Sequence, residues 1–331
     1  MIKLSICIPT YNREKFLAVC LKHLIPQIID KENVEVIVVD NASTDNTQSI
    51  MNTIISEHSN IHYYRNEMNL GYSGNQVKCI ECSSGVYTAI LSDDDVYTDN
   101  LVDDILNITK GKEYSFIALN YYSFVENVYK KHQANFAPSN DVIFERAYDI
   151  MNYPSVGHFS GFIFNSRLAK ETLREMLQKH STEEYEKYRG VISDIAHRSL
   201  SKTILPSYFF GERKLANRMP TEVDYDSLNH LCLDYYEYFF LLFQEGIIEQ
   251  KDLEYRKTLV LSWLPRAIVT DSYRKSKVEI NRISDRLESY FKRDIKFRYL
   301  INPLFYLSKF NFIKYLFKSI HKIKRHFKYS Y

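Results

Sequence analysis

Three short polar segments hold residue types suited to chemistry on a phosphorylated substrate. Pro9-Thr10-Tyr11-Asn12-Arg13 follows an apolar run, Asp40-Asn41-Ala42-Ser43-Thr44-Asp45 follows Val38-Val39, and Ser92-Asp93-Asp94-Asp95 follows Leu91. Asp93 and Asp95 stand at i and i+2, where two carboxylates can hold one hard divalent cation through oxygen ligands. Such a cation bridges two phosphates and takes up the charge that builds on a diphosphate leaving group. Tyr11 can stack on a base, and Asp40 can accept a hydrogen bond from a base N–H. No lysine-bearing P-loop is present, so phosphate neutralisation falls largely to the metal. Taken singly each segment is ordinary: acidic triplets are usually solvated turns, and an Asp after a strand is often a helix cap.

Position is what joins them. Lys3 to Ile8 reads as a buried strand ended by Pro9, and Glu14 to Ile29 has helical spacing through Phe16, Val19, Cys20 and Leu24. Val34 to Val39, Ile61 to Arg65 and Tyr87 to Leu91 are further short strands. A helix to about His58 follows the Asn41 to Thr47 turn, and Asn69-Leu70-Gly71-Tyr72-Ser73-Gly74-Asn75 reads as a loop with Ser73 as a helix cap. Alternating strands and helices imply parallel strands with right-handed crossovers, and ligands in such sheets sit beyond the strands' carboxyl ends. The polar segments, with Asn69-Leu70-Gly71 as a fourth, should therefore share one crevice. From about Tyr121 the rhythm breaks. Residues 121–145 suggest a hairpin, His158 to Asn165 a strand, Ser166 to Lys179 a helix, Glu183 to Leu200 a helix broken at Gly190, and Thr203 to Phe210 a last strand. After Arg218 the pattern is mainly helical. The expected division is 1–215, with halves 1–120 and 121–215, followed by a helical region 216–331.

In this order, P-T-Y-N-R, V-V-D-N-A-S-T-D, N-L-G-Y and L-S-D-D-D resemble the GT-A fold glycosyltransferases of family 2. The resemblance is nearest to bacterial enzymes that build O-antigen, capsule or other surface glycans, including the abequosyltransferase-like group. It spans about residues 1 to 215 and is strongest to about residue 110. It implies an α/β fold with a Rossmann-like, mainly parallel sheet, a nucleotide-sugar donor with UDP favoured, Mg²⁺ or Mn²⁺, inversion at the anomeric carbon, and a glycan or polyprenyl-linked acceptor. Carried onto this chain, Pro9, Thr10, Tyr11, Arg13, Asp40, Asn69, Gly71, Asp93 and Asp94 bind the donor, while Asp93 and Asp95 hold the metal. The family more often places an Asp where Ser92 stands, which leaves open which of the three carboxylates touches metal.

Inversion also needs a general base opposite the leaving diphosphate. The resemblance puts an Asp or Glu near a helix start in the acceptor half, and the candidate is Asp194, although the family's usual Glu-Asp pair is absent. The alternative for Asp194 is a surface ion pair with Arg198 at i, i+4, worth a few tenths of a kcal/mol. Glu183, Glu184 and His197 compete for the base role, and His158 either lines the acceptor crevice or is a buried, hydrogen-bonded histidine. The Q-x-x-R-W signature of processive synthases is missing, and the single tryptophan, Trp263, sits in Ser-Trp-Leu-Pro-Arg, which favours transfer of one sugar. A non-catalytic GT-A-like scaffold or glycan-binding protein of an assembly complex is the alternative. A dinucleotide-dependent dehydrogenase is excluded because no glycine follows the first strand.

Composition sets the outer bounds. Hydrophobic residues make up 45% and charged residues 25% of 331, which excludes a disordered chain and a disulfide scaffold. The five cysteines are scattered, and the Cys79-Cys82 pair lacks a partner pair at zinc spacing, so a reducing compartment and an apolar role are expected. Nine of the 43 basic residues and no acidic ones fall in 295–331, leaving 34 basic against 41 acidic before them. In this tail Asn302-Pro303 reads as a helix start, with Tyr306, Phe310, Ile313, Phe317 and Ile320 on one face and Lys314, Lys318, Lys322 and Arg325 on another. Such a helix suits either an anionic membrane surface or docking on the protein's own core or a second subunit. The acidic body argues against nucleic acid. Leu4 to Ile8 is too short for a signal peptide, and no apolar stretch reaches the length of a membrane span. A cytoplasmic protein, peripheral to the inner face of a bacterial membrane, is expected, with a homo-oligomer through the C-terminal helices left open.

Overall fold

Every residue of Leu4–Thr10 except Pro9 is buried, as an apolar run must be when both faces of a sheet are covered. In the computed structural model this run is β1, at the centre of a parallel block with β2 (Val34–Asp40), β3 (Ile61–Arg65) and β4 (Tyr87–Ile90) in the order β3-β2-β1-β4. The structure describes residues 1–125, 127–129, 133–134, 139–153, 156–179, 181, 190–218, 232–311 and 313–319. Glu183, Glu184, Ile320, Lys322 and Arg325 lie outside the described residues.

Three crossover helices join the block: α1 (Glu14–Ile28), α2 (Thr47–Glu57) and α3 (Gly71–Cys82). Alternation along β1 serves two layers. Leu4, Ile6 and Ile8 enter one core with Leu17, Leu21 and Leu24 of α1, while Cys7 faces the other way and its Sγ donates to the Cys79 carbonyl of α3. β1 runs two residues beyond the expected end at Ile8. Thr10 O accepts from Asn41 N on the β2 side, so Pro9 points to the β4 side, where pairing has already stopped at Cys7–Ile90. Its missing N–H therefore costs no ladder bond. The loop expected over 69–75 is shorter than expected. α3 begins at Gly71, whose φ of 76° is left-handed, and Ser73 is buried inside the helix rather than capping it.

Beyond β4 come β5 (Val96–Tyr97), α4 (Leu101–Ile108), β6 (Phe116–Phe124), β7 (Gln133–Ala134), β8 (Val142–Phe144), β9 (Phe162–Asn165), α5 (Ser166–Leu177), α6 (Val191–Leu200) and β10 (Ser207–Arg218). They extend the sheet to ten strands in the order β3-β2-β1-β4-β9-β6-β10-β5, with β7 on β6 and β8 on β10. β9 is antiparallel to both neighbours, and β5 is antiparallel to β10. The expected 121–145 hairpin is only half present, because β7 pairs with β6 but β8 pairs with β10. Of the strand expected from His158, the start is a 3₁₀ turn at Phe159–Gly161. β10 does not stop at Phe210. Register shifts between Phe210 and Leu215 carry it through the charged Glu212-Arg213-Lys214 stretch to Arg218, past the expected division at residue 215.

The chain divides into two compact units, Met1–Thr221 and Glu222–Tyr331. The second unit is helical: α7 (Tyr235–Gln244), α8 (Gln250–Asp271), α9 (Lys277–Phe291) and α10 (Asn302–Ser308). Capping boxes, Glu249 with Asp252 and Ser276 with Glu279, start α8 and α9. Phe239, Leu264, Ile268, Leu287, Phe291, Phe297, Ile301 and Phe305 are buried within it. Asn302 is not an N-cap. A π turn at Phe297–Ile301 runs straight into α10. The tail is not one continuous helix either, since 309–310 interrupt it before the helical residues 313–319. The expected stripe splits accordingly: Phe317 is buried, Ile313 half-buried, and Tyr306 and Phe310 exposed.

Candidate functional site

β1, β2 and β4 are parallel and end at one edge, so their loops open side by side. There they form a cleft of about 340 Å³ lined by Pro9, Thr10, Tyr11, Arg13, Asn41, Asn69, Gly71, Ser92 and Asp93, with Tyr72, Asn75 and Phe159. Seven sequence-derived donor residues thus meet on one wall: Pro9, Thr10, Tyr11, Arg13, Asn69, Gly71 and Asp93. The ring of Tyr11, 43% exposed, is available for stacking.

The first two loops hold each other. Asn12 N donates to Ser43 Oγ (2.9 Å), and Asn12 Oδ1 accepts from Thr44 N (2.7 Å). Asn12 (φ 52°) and Ala42 (φ 65°) are both left-handed, and Ala42 has no polar side chain to ease this, at a cost of about 1–3 kcal/mol. Asp40 is fully buried beneath the cleft and is not part of its lining. Its Oδ1 accepts from Ser43 N (2.9 Å) and its Oδ2 from Tyr63 Oη (2.6 Å). Burial first, and the Asp40 bond second, push the Tyr63 phenol well above its ordinary value. At this point the cleft surface is Asn41. Its Nδ2 donates to Asn69 Oδ1 (2.8 Å) and the Gly71 carbonyl (3.0 Å), and its Oδ1 accepts from Leu70 N (2.8 Å). One amide therefore fixes the 69–71 loop against β2.

The acidic loop places its three carboxylates differently. Asp93, 2% exposed, lines the cleft floor. Its Oδ2 accepts from Thr10 Oγ1 (2.7 Å), and its Oδ1 lies 3.3 Å from Arg13 Nε. Desolvation raises the Asp93 carboxyl to about 7, against the lowering effects of Arg13 and Thr10. Asp94 is half-buried, bound to Arg13 Nη2 and to Ser92 Oγ (2.6 Å). Asp95, like Asp94, is not among the lining residues. Its Oδ2 meets His158 Nε2 (2.7 Å), and its Oδ1 accepts from Asn217 Nδ2 (3.0 Å) and Arg218 N (2.9 Å). Both Asp95 oxygens are thus engaged by the turn before β9 and the end of β10, as both oxygens of Asp93 and of Asp94 are engaged by Thr10, Arg13 and Ser92.

No group of three or more His, Cys, Asp or Glu among the described residues is arranged to hold a metal ion. Mg²⁺ and similar cations usually take only one or two carboxylates, with substrate phosphates and water completing the shell. Asp93 and Asp94 fit that requirement. They supply adjacent oxygen donors, and the buried Asp93 carboxyl carries a desolvation penalty that a cation would offset.

Asp194, the candidate base, sits in the first turn of α6 and is buried with Arg198, whose Nε donates to Asp194 Oδ2 (2.8 Å). The i, i+4 pair is therefore present but buried rather than on the surface. A Cβ on Gly190, the residue before α6, would lie 3.4 Å from the cleft residue Tyr72, so α6 starts against the cleft wall. His197 is buried with Nδ1 on Tyr148 Oη (2.8 Å). His158 is half-buried and bound to Asp95.

A mostly parallel sheet with the cleft at its carboxyl edge places the chain among GT-A folds, and the comparisons with known proteins agree. The model for "Glycosyl transferase family 2" matches residues 5–173, just over half of the chain. The chain belongs to this family. Among curated relatives, glycosyltransferase GlyG of Streptococcus pneumoniae is 27% identical over 124 residues, 38% of this chain and 40% of that protein. Abequosyltransferase RfbV of Salmonella typhimurium is 34% identical over 93 residues, 28% of each. The chain thus spans less than half the length of these relatives. The crystal structure of S. aureus TarS 1-349 in complex with UDP matches with a TM-score of 0.63 at 16% identity, over 100% of this chain and 93% of that one, a likeness of fold.

Sequence reasoning missed Asn41, Tyr72, Asn75, Ser92 and Phe159 as lining residues. Tyr72 and Asn75 fell within a stretch read as loop, and α3 turns them onto the cleft. It also missed Phe16, read only as part of a helical stripe. The guanidinium carbons of Arg13 and Arg218 lie 4.7 and 4.4 Å from the centre of its ring.

Proposed function

We propose that this chain transfers one sugar, with inversion, from a nucleoside-diphosphate sugar, UDP favoured, to a growing bacterial surface glycan carried on a lipid. The observation that carries this reading is the convergence of four loops on one cleft with the buried Asp93 at its floor. Thr10, Tyr11 and Asn41 would take the base and ribose, with Asp40 setting their loop from behind. Asn69 and Gly71 would border the sugar-phosphate. Asp93 and Asp94 would hold Mg²⁺ or Mn²⁺, which when bound supplies positive charge to the leaving diphosphate. Asp194, in the first turn of α6, would take the proton of the acceptor hydroxyl. Family membership and the UDP bound to TarS support the donor class.

A donor screen tests it: released nucleotide is measured with UDP-, CDP- and dTDP-sugars, with and without Mn²⁺, on an undecaprenyl-linked acceptor. Metal-dependent release of UDP is expected. Nucleotide binding without turnover for any donor would favour the scaffold alternative.

We also propose that the tail meets an anionic lipid surface. Tyr299 (73% exposed), Tyr306 (61%), Leu307 and Phe310 are exposed among Lys296, Arg298, Lys309 and Lys314, while Phe297, Ile301 and Phe305 pack inward. One apolar set thus serves the unit's own core and leaves a second facing solvent. Each cation near such a surface contributes roughly 1 kcal/mol. No helix among the described residues is long and apolar enough to cross a membrane. Phosphatidylglycerol vesicles should sediment the full chain, and the double variant Tyr299→Glu, Phe310→Glu should stay in the supernatant. Equal binding to pure phosphatidylcholine would count against the charge argument.

A further inference from the structure

We infer that Arg13 is a place-holder: its guanidinium holds the two cation-binding carboxylates while no donor is present, then passes to the diphosphate when donor and cation bind together. The inference rests on the donor reading above.

The geometry begins with a fork. Arg13 Nε lies 3.3 Å from Asp93 Oδ1 while Nη2 donates to Asp94 Oδ2, so one guanidinium spans both carboxylates that fit a cation. Three consecutive carboxylates with two of them buried repel one another unless a positive charge sits among them. Arg13 supplies that charge. An incoming divalent ion needs the same oxygens, and two cations on one pair of carboxylates repel. Arg13 therefore opposes cation binding in the empty cleft.

The side chain is also within reach of a donor. Arg13 lines the cleft and its side chain is 38% exposed, so a ligand in the cleft can reach it. While paired with Asp93 and Asp94 its guanidinium carbon also lies 4.7 Å from the centre of the Phe16 ring. Arg218 approaches the same ring at 4.4 Å, and its guanidinium has no carboxylate partner among the described residues. The planar fork of arginine binds a diphosphate through paired hydrogen bonds, and Arg13 is the arginine that lines the cleft. Neutralisation is thus not left to the metal alone, as the missing P-loop lysine suggested. The consequence is coupling: cation alone and nucleotide alone each bind weakly, and each favours the other, because together they free and then use the same side chain.

The test separates the two halves by sign. Mn²⁺ is titrated into the full chain and the free ion read by electron paramagnetic resonance, for wild type and Arg13→Gln, without nucleotide. The variant is expected to bind Mn²⁺ about tenfold more tightly, since typical couplings lie in that range. Calorimetry with UDP at saturating Mn²⁺ is expected to show the variant about tenfold weaker. Arg13→Lys, which keeps charge but loses the fork, should fall between the two. Unchanged or weaker Mn²⁺ binding by Arg13→Gln without nucleotide would overturn the inference. If wild type fails to bind UDP with Mn²⁺, the donor reading fails, while the Mn²⁺ arm still decides the place-holder on its own.

Discussion

Asp93→Asn is expected to lower kcat by about a thousandfold or more while the chain stays folded. The amide keeps the shape of the side chain and can still accept from Thr10 Oγ1, so the loop keeps its local bond. What it loses is the anionic oxygen facing Arg13 and the proposed cation. Stability moves in a defined direction with pH. The folded carboxyl is raised to about 7, above an unfolded value of about 3.9, so the folded state holds the proton through that window. Wild-type stability therefore falls as pH rises from about 4 to 7, and the uncharged variant lacks this loss. Thermal melts across that range should show Asp93→Asn gaining on wild type as pH rises. Turnover within tenfold of wild type would remove Asp93 from the chemistry.

The second large effect is expected at Asp194→Asn, a fall in kcat of about 10²–10⁴-fold, the usual contribution of a positioned base. The same change weakens a buried ion pair with Arg198, so a lower melting temperature is expected as well. Arg198→Gln separates the two causes. It breaks the pair from the other side and should lower the melting temperature comparably, yet leave kcat per folded molecule within a few-fold. If both variants lose turnover equally, Asp194 acts through packing of α6 and the base lies elsewhere.

The parallel block was legible because β1, β2 and β4 are buried on both faces and their loops are polar, a contrast that survives without neighbours in view. Later elements depended on tertiary context. β10 passes through Glu212-Arg213-Lys214 because its shifted register lets Lys214 pair with Asp104, a partner 110 residues away that local pattern does not reveal. Ser73 has the chemistry of a cap but is buried inside α3, since the left-handed Gly71 starts the helix earlier. In the site, the residue types at the strand ends pointed to segments that do line one cleft. They did not distinguish surface from support. Asp40 and Asp95 are held from below by Tyr63 and Ser43, and by His158 and Asn217, while Asn41, itself buried, takes the place in the cleft lining. Adjacent residues with similar chemistry differ here only in which way the backbone turns them.

The bonds around Asp95 bear on how such proteins can be recombined. Asp95 belongs to the first half of the sheet, yet its partners are drawn from residues 158, 217 and 218. A hybrid joining this chain's first hundred residues to the remainder of a relative would strand a buried carboxyl group unless histidine and asparagine were transplanted with it. Exchanging sugar preference between relatives by cutting at the middle of the sheet therefore means moving a three-residue set, not a contiguous block.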